Sequence, residues 1–127
     1  MEIGIQGIQT ITVGEEQTAK ALGSGKLAVF GTPYMIALME NTAYKSVQPY
    51  LEEGQGTVGT LLNVKHLAAT PVGMEVRCET KLIEIDRKRL VFEVKAWDAC
   101  GLIGEGLHER FIIHNEKFMQ KTNGKLS

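Results

Sequence analysis

Two periodicities divide this chain. From Thr32 to Leu51 it reads T-P-Y-M-I-A-L-M-E-N-T-A-Y-K-S-V-Q-P-Y-L, with Ile36, Met39, Ala43, Val47 and Tyr50 at three- and four-residue spacing. That spacing predicts an amphipathic helix of about five turns. Thr32 is placed at its N-cap and Pro33 at its first helical position, while Gly54 and Gly56 stop it. Downstream the pattern becomes alternation. Val58, Thr60, Leu62, Val64 and His66 share one parity within 57–67, and Met74, Val76, Cys78, Thr80 and Leu82 share one within 74–85. Leu90, Phe92, Val94 and Ala96 do so within 89–97, and 101–114 forms a last long strand. A first strand covers 3–13, rich in isoleucine, and A-T-P-V-G, D-R-K-R and D-A-C-G supply turns and short connections. The polar, glycine-containing stretch 15–26 reads as a loop or lid.

The strands' apolar faces need a partner, and the helix is the one large apolar surface available. The expected fold is therefore α+β: a single domain, 1–127, in which an antiparallel sheet wraps one long central helix. An edge strand of so small a sheet is left open, which favours pairing into a homodimer, with further assembly left open.

Composition narrows the partners. With 14 Lys+Arg against 15 Asp+Glu and a formal charge of -1, the chain lacks the basic excess of a nucleic-acid binder. No window approaches the ~20 apolar residues of a membrane span. The start, M-E-I-G-I-Q-G-I, is not a secretory signal, so a cytoplasmic protein with reduced thiols is expected. Cys78 and Cys100 read as small buried or half-buried thiols. With His66, His108 and His114 scattered, no metal site is readable, and no cofactor is implied.

The candidate chemistry lies between Thr32 and His66. Acyl hydrolysis needs a polarising donor, a base or nucleophile and a proton carrier, and Thr32, Glu40 and His66 supply a hydroxyl, a carboxylate and an imidazole on adjoining elements. Each also has a plainer reading: a helix cap, a solvated helix-face glutamate and a hydrogen-bonded core histidine. His108 and Arg110 share parity with Gly104 and Gly106, which leave room for a backbone or ligand to approach. Arg110 then either reaches a bound ligand or forms a surface ion pair. The turn Arg87-Lys88-Arg89 is a solvated basic hairpin, with phosphate binding a minor option.

The segments T-P-Y-M-I-A-L-M-E, P-Y-L-E-E-G-Q-G-T-V-G, H-L-A-A-T-P-V-G-M-E-V and G-E-G-L-H-E-R, in this order, resemble the fluoroacetyl-CoA thioesterase type of hotdog enzyme from about Phe30 to Ile113. The resemblance implies a hotdog fold and hydrolysis of a small acyl-CoA, with Thr32, Glu40 and His66 catalytic and Gly59 and Arg110 near the substrate. One stretch departs from it: 19–29 has no aromatic residue, whereas the fluoroacetyl-selective enzymes place aromatics in their lid. The alternatives are a non-catalytic acyl-CoA binding module and a hotdog hydratase or dehydratase. The absence of a histidine before Thr32 counts against the latter. Glu40 as base or nucleophile, and Thr32 as nucleophile, remain open at this level.

Overall fold

A computed structural model describes residues 1–127. Five strands, β1 (Gln6–Thr12), β2 (Gln55–His66), β3 (Glu75–Asp86), β4 (Arg89–Asp98) and β5 (Gly101–His114), form one antiparallel sheet in the order β1-β3-β4-β5-β2. The long helix α2 (Thr32–Val47) packs on one face of it. Alternation within each strand gives the sheet one apolar face. Val76, Cys78 and Leu82 of β3, Leu90, Phe92, Val94 and Ala96 of β4, and Ile103 of β5 bury it against Met35, Leu38, Met39, Ala43 and Val47 of α2.

The helix differs from its expected form at both ends. Gly31, not Thr32, is its N-cap, and the α-helix stops at Val47, passing into a 3-10 turn over Gln48–Tyr50. Pro49 accounts for the early stop, because it lacks the amide that a continuing helix requires. The buried stripe is also rotated from the expected one: Met35 and Leu38 enter the core, Ile36 is only half-buried, and Tyr50 is exposed.

Two further helices were not expected. The stretch 15–26 is an ordered loop containing a 3-10 turn, Glu15–Gln17, and the short helix α1 (Ala19–Leu22). Thr18 caps α1 by accepting from Ala21 N at 3.1 Å, and Ala19 N donates back to Val29 O at 2.8 Å, so the loop closes on itself. Phe30 N then donates to Thr70 O at 2.8 Å, which pins the loop's end to the β2–β3 connection. A C-terminal helix α3 (Asn115–Asn123) follows β5 with no buried residue.

A register shift in β2 matters most for function. Between Gly59 and Leu61 the pairing with β5 slips, leaving Thr60 as an extra residue. Beyond a bulge of this kind the side-chain parity reverses. His66, Val64 and Leu62 stand opposite Gly104, Gly106 and His108, but past the bulge it is Gly59 that stands opposite Arg110. Val58 is paired with Phe111 on the outer face, so the single face expected for Val58, Thr60, Leu62, Val64 and His66 is broken. Nor do β2 and β3 form a hairpin: β2 lies at the sheet edge beside β5, and Thr70 of its connection to β3 donates to Asp98 Oδ2 at 2.7 Å.

Candidate active site

Because Gly31 takes the cap position, the Thr32 hydroxyl is free of the role sequence gave it. Its Oγ1 lies 2.7 Å from Nδ1 of His66, the last residue of β2. Pro33 has no amide hydrogen, and the amides of Tyr34 and Met35 both donate to Gly31 O at 3.0 Å. The Thr32 amide has no backbone acceptor, so Thr32 presents both an N–H and a hydroxyl at the positive end of the helix dipole. Phe30 sets its ring edge-on to the His66 imidazole with centroids 6.4 Å apart. Burial holds the His66 pKa below its usual value, the Ala68 backbone acting in the opposite sense. Its Nε2 is buried and has no partner within the chain. A cavity of about 780 Å³ opens beside the pair, lined by Ala19, Ser24 and Val29 of the loop, Ile36 of α2, and Ala68.

Glu40 belongs to a second group. One face of α2 carries Glu40 and Tyr44 over the bulged end of β2, where Arg110 of β5 rises to meet them. Arg110 is 7% exposed, and its Nη1 stands 3.6 Å from Glu40 Oε2. Its Nε donates to Thr57 Oγ1 at 2.8 Å and its Nη2 to Thr57 O at 2.9 Å, while the guanidinium lies 5.9 Å from the Tyr44 ring centroid. Burial pushes the Arg110 pKa down, opposed by Glu40 and Tyr44. β5 lies inside the sheet, so Arg110 is not the edge-strand arginine of a surface ion pair. The glycines at 104 and 106 leave room for protein rather than ligand: a Cβ at Gly104 would meet Met35 Sδ, and one at Gly106 would meet the β2 backbone.

Gly59 is the floor under Glu40. A Cβ there would lie 2.7 Å from Glu40 Oε2, 3.3 Å from His108 Cε1 and 3.4 Å from Arg110 Nη1. The nearest atom is the tip of a flexible side chain, so Gly59→Ala should fold normally and move the carboxylate. With Glu40 as a reacting group, a displacement of ~1 Å should lower kcat about a hundredfold. Kinetics with a thermal melt check this; an unchanged kcat would show that the carboxylate's position over Gly59 is immaterial.

The three candidate residues therefore do not converge within the single chain. Thr32 and Glu40 lie on one regular helix, ~12 Å apart along its axis at ~1.5 Å per residue. His66 ends β2, and Gly59, under Glu40, stands seven residues earlier in the strand, roughly 23 Å away at ~3.3 Å per residue. His66 bonds Thr32 and is no relay to Glu40. Sequence reasoning placed His108 near Arg110 but gave it no role, and the structure puts it in the Glu40 group.

The remaining groups are structural. Cys78 is buried and burial raises its thiol to about 11, whereas Cys100 is exposed rather than half-buried. No group of three or more His, Cys, Asp or Glu is placed to hold a metal ion, and no helix is long and apolar enough to cross a membrane. Arg89 of the basic hairpin is consumed by Glu84 and Glu109 at 2.6 and 2.7 Å.

Comparison with known proteins points one way. The profile of the family described as fluoroacetyl-CoA-specific thioesterase matches residues 13–116. The fluoroacetyl-CoA thioesterase of Streptantibioticus cattleyicolor is 43% identical over 97 residues, covering 76% of this chain and 70% of that protein. A solved structure of a fluoroacetyl-CoA thioesterase variant in complex with acetyl-CoA superposes with a TM-score of 0.93 at 34% identity, covering all of both chains. A thioesterase superfamily member from Thermus thermophilus superposes with a TM-score of 0.88 at 28% identity, covering 96% of this chain and 90% of that one.

Proposed function

The chain belongs to the fluoroacetyl-CoA-specific thioesterase family, and from that premise we propose an active site that two copies of the chain share. It is a hotdog-fold thioester hydrolase that converts a small acyl-CoA to the free acid and CoA. The family assignment sets aside the binding-module and hydratase alternatives. All five strands lie in one sheet on one helix, which supports a single catalytic domain over 1–127. Two unpaired thiols suit a cytoplasmic location.

The observation that carries the shared site is the separation of the Thr32–His66 pair from Glu40, together with the open edge of β2. When β2 pairs antiparallel with a second copy about a two-fold axis through Asn63, Val64 faces the partner's Leu62 and, past the bulge, His66 faces the partner's Gly59. Residues opposite one another then share a face, as a pleated pair requires. Glu40 of one copy thereby meets Thr32 and His66 of the other. The unpartnered Nε2 of His66 gains a neighbour, and the half-exposed Glu40 becomes enclosed.

In this site the Thr32 hydroxyl and amide hold the thioester oxygen as negative charge develops on it. Glu40 removes a proton from the attacking water; the new C–O bond forms, the C–S bond breaks, and CoA leaves as the thiol once it takes up a proton. His66 fixes the Thr32 hydroxyl. Arg110 and Gly59 set the position of Glu40, a role that fits Arg110's protein-bound donors better than direct contact with substrate. The 2.7 Å hydroxyl–imidazole bond also favours a second reading, in which Thr32 is the nucleophile. A Thr32-linked acyl group in a rapid-quench mass spectrum distinguishes the two.

Thiol release from a panel of acyl-CoAs tests the activity and its range. The cavity wall from Ala19 to Val29 offers small and aliphatic side chains and no aromatic. The expected result is hydrolysis of acetyl-CoA and slightly longer chains at rates comparable to fluoroacetyl-CoA, unaffected by a chelator. Discrimination for the fluorinated substrate by several orders of magnitude, or loss of activity restored by zinc, contradicts this.

A further inference from the structure

His108 is wholly buried, yet both of its ring nitrogens are engaged. Nδ1 lies 2.8 Å from Leu61 O and Nε2 lies 3.2 Å from Arg110 Nη1. We propose that His108 is a positioning residue of the hydrolysis, fixing the Arg110 guanidinium and, through it, the Glu40 carboxylate above Gly59. The inference rests on the assignment of Glu40 to the reaction.

The hydrogen-bond inventory fixes the ring's state. A carbonyl only accepts, so Nδ1 carries the proton and donates to Leu61 O. Nε2 then keeps its lone pair and accepts from Nη1 of an arginine that is always a donor. A protonated ring would set two donors face to face beside a second cation. Burial and the Arg110 charge oppose that state, holding the His108 pKa low, while the Leu61 carbonyl, Glu40 and Glu109 act in the other sense.

Packing alone does not account for the residue. His108 stacks on Phe92 with centroids 6.1 Å apart, a contact that phenylalanine would also make. Its polar atoms, however, join two features on which the site depends. One is the Leu61 carbonyl at the β2 bulge, which turns Gly59 towards the helix. The other is Nη1, the arginine nitrogen that faces Glu40. Arg110's other two nitrogens are tied to Thr57, so removing His108 frees the guanidinium on the side where the carboxylate sits.

The test is a double-mutant cycle on acetyl-CoA hydrolysis with wild type, His108→Phe, Glu40→Gln and the double variant. His108→Phe should lower kcat by about tenfold to a hundredfold while KM moves less than about threefold. In the Glu40→Gln background the same change should cost less than about threefold, because the group it positions is already disabled. His108→Gln, whose carboxamide oxygen reaches the place of Nε2, should recover most of kcat. His108→Asn, which restores only a donor towards Leu61, should not. The glutamine–asparagine contrast decides the matter even where His108→Phe does not fold. A normal kcat in His108→Phe or in His108→Asn, or a loss that multiplies fully with Glu40→Gln, overturns the proposal. Full activity in Glu40→Gln alone overturns the role of Glu40 and this inference with it; a depleted Glu40→Gln beside an additive His108 effect overturns this inference only.

Discussion

Glu40→Gln keeps the fold and lowers kcat by at least about a hundredfold, the usual contribution of a positioned acid or base. The substitution preserves shape. The side chain is 39% exposed in the single chain, and its charged neighbour Arg110 retains hydrogen bonds to Thr57 and His108 when the carboxylate becomes an amide. Thermal stability should therefore change little, which separates a chemical defect from a folding one. An amide neither takes a proton from water nor acts as a nucleophile, so the loss should fall on kcat rather than KM. Turnover near the wild-type rate would return Glu40 to the structural residues.

Local elements were legible in the sequence, and their assembly was not. Helical spacing found α2, and alternation found β2, β3, β4 and β5, because each must present one apolar face to the core. The bulge at Thr60 left no trace: in V-G-T-L-L-N-V suitable strand residues fall on both parities, so an extra residue changes nothing in the pattern. Thr32 is displaced from the cap because Gly31 suits an N-cap as well, and only the extended backbone of Gly31, with φ -77° and ψ 137°, shows which one takes it. α3 was missed since N-E-K-F-M-Q-K-T-N has no stripe facing the core, and indeed none of it is buried. Helix geometry alone already excluded a direct Thr32–Glu40 contact. That His66 would side with Thr32, and Arg110 with Glu40, depended on β2 lying next to β5, an arrangement chain order does not reveal.

The same geometry explains why His108 escaped notice. Its parity with Arg110 could be read from the sequence, but its second partner is Leu61 O across the strand pair, beside an irregularity that periodicity cannot register. A buried histidine with both nitrogens engaged becomes visible only once the hydrogen bonds are placed.

Subunit mixing reads out whether each site draws Thr32 and His66 from one copy and Glu40 from another. Thr32→Ala and Glu40→Gln proteins, each nearly inactive, are unfolded together, refolded at equal amounts and assayed for thiol release from acetyl-CoA. At equal mixing about half of the dimers are heterodimers, and each of these carries one intact site and one doubly disabled site if the sites are shared. Shared sites should give recovery to about one quarter of wild-type activity, appearing only after subunits exchange. Activity that stays at the level of the separate variants, in a sample shown to contain heterodimers, would place all three residues in one chain and contradict a shared site.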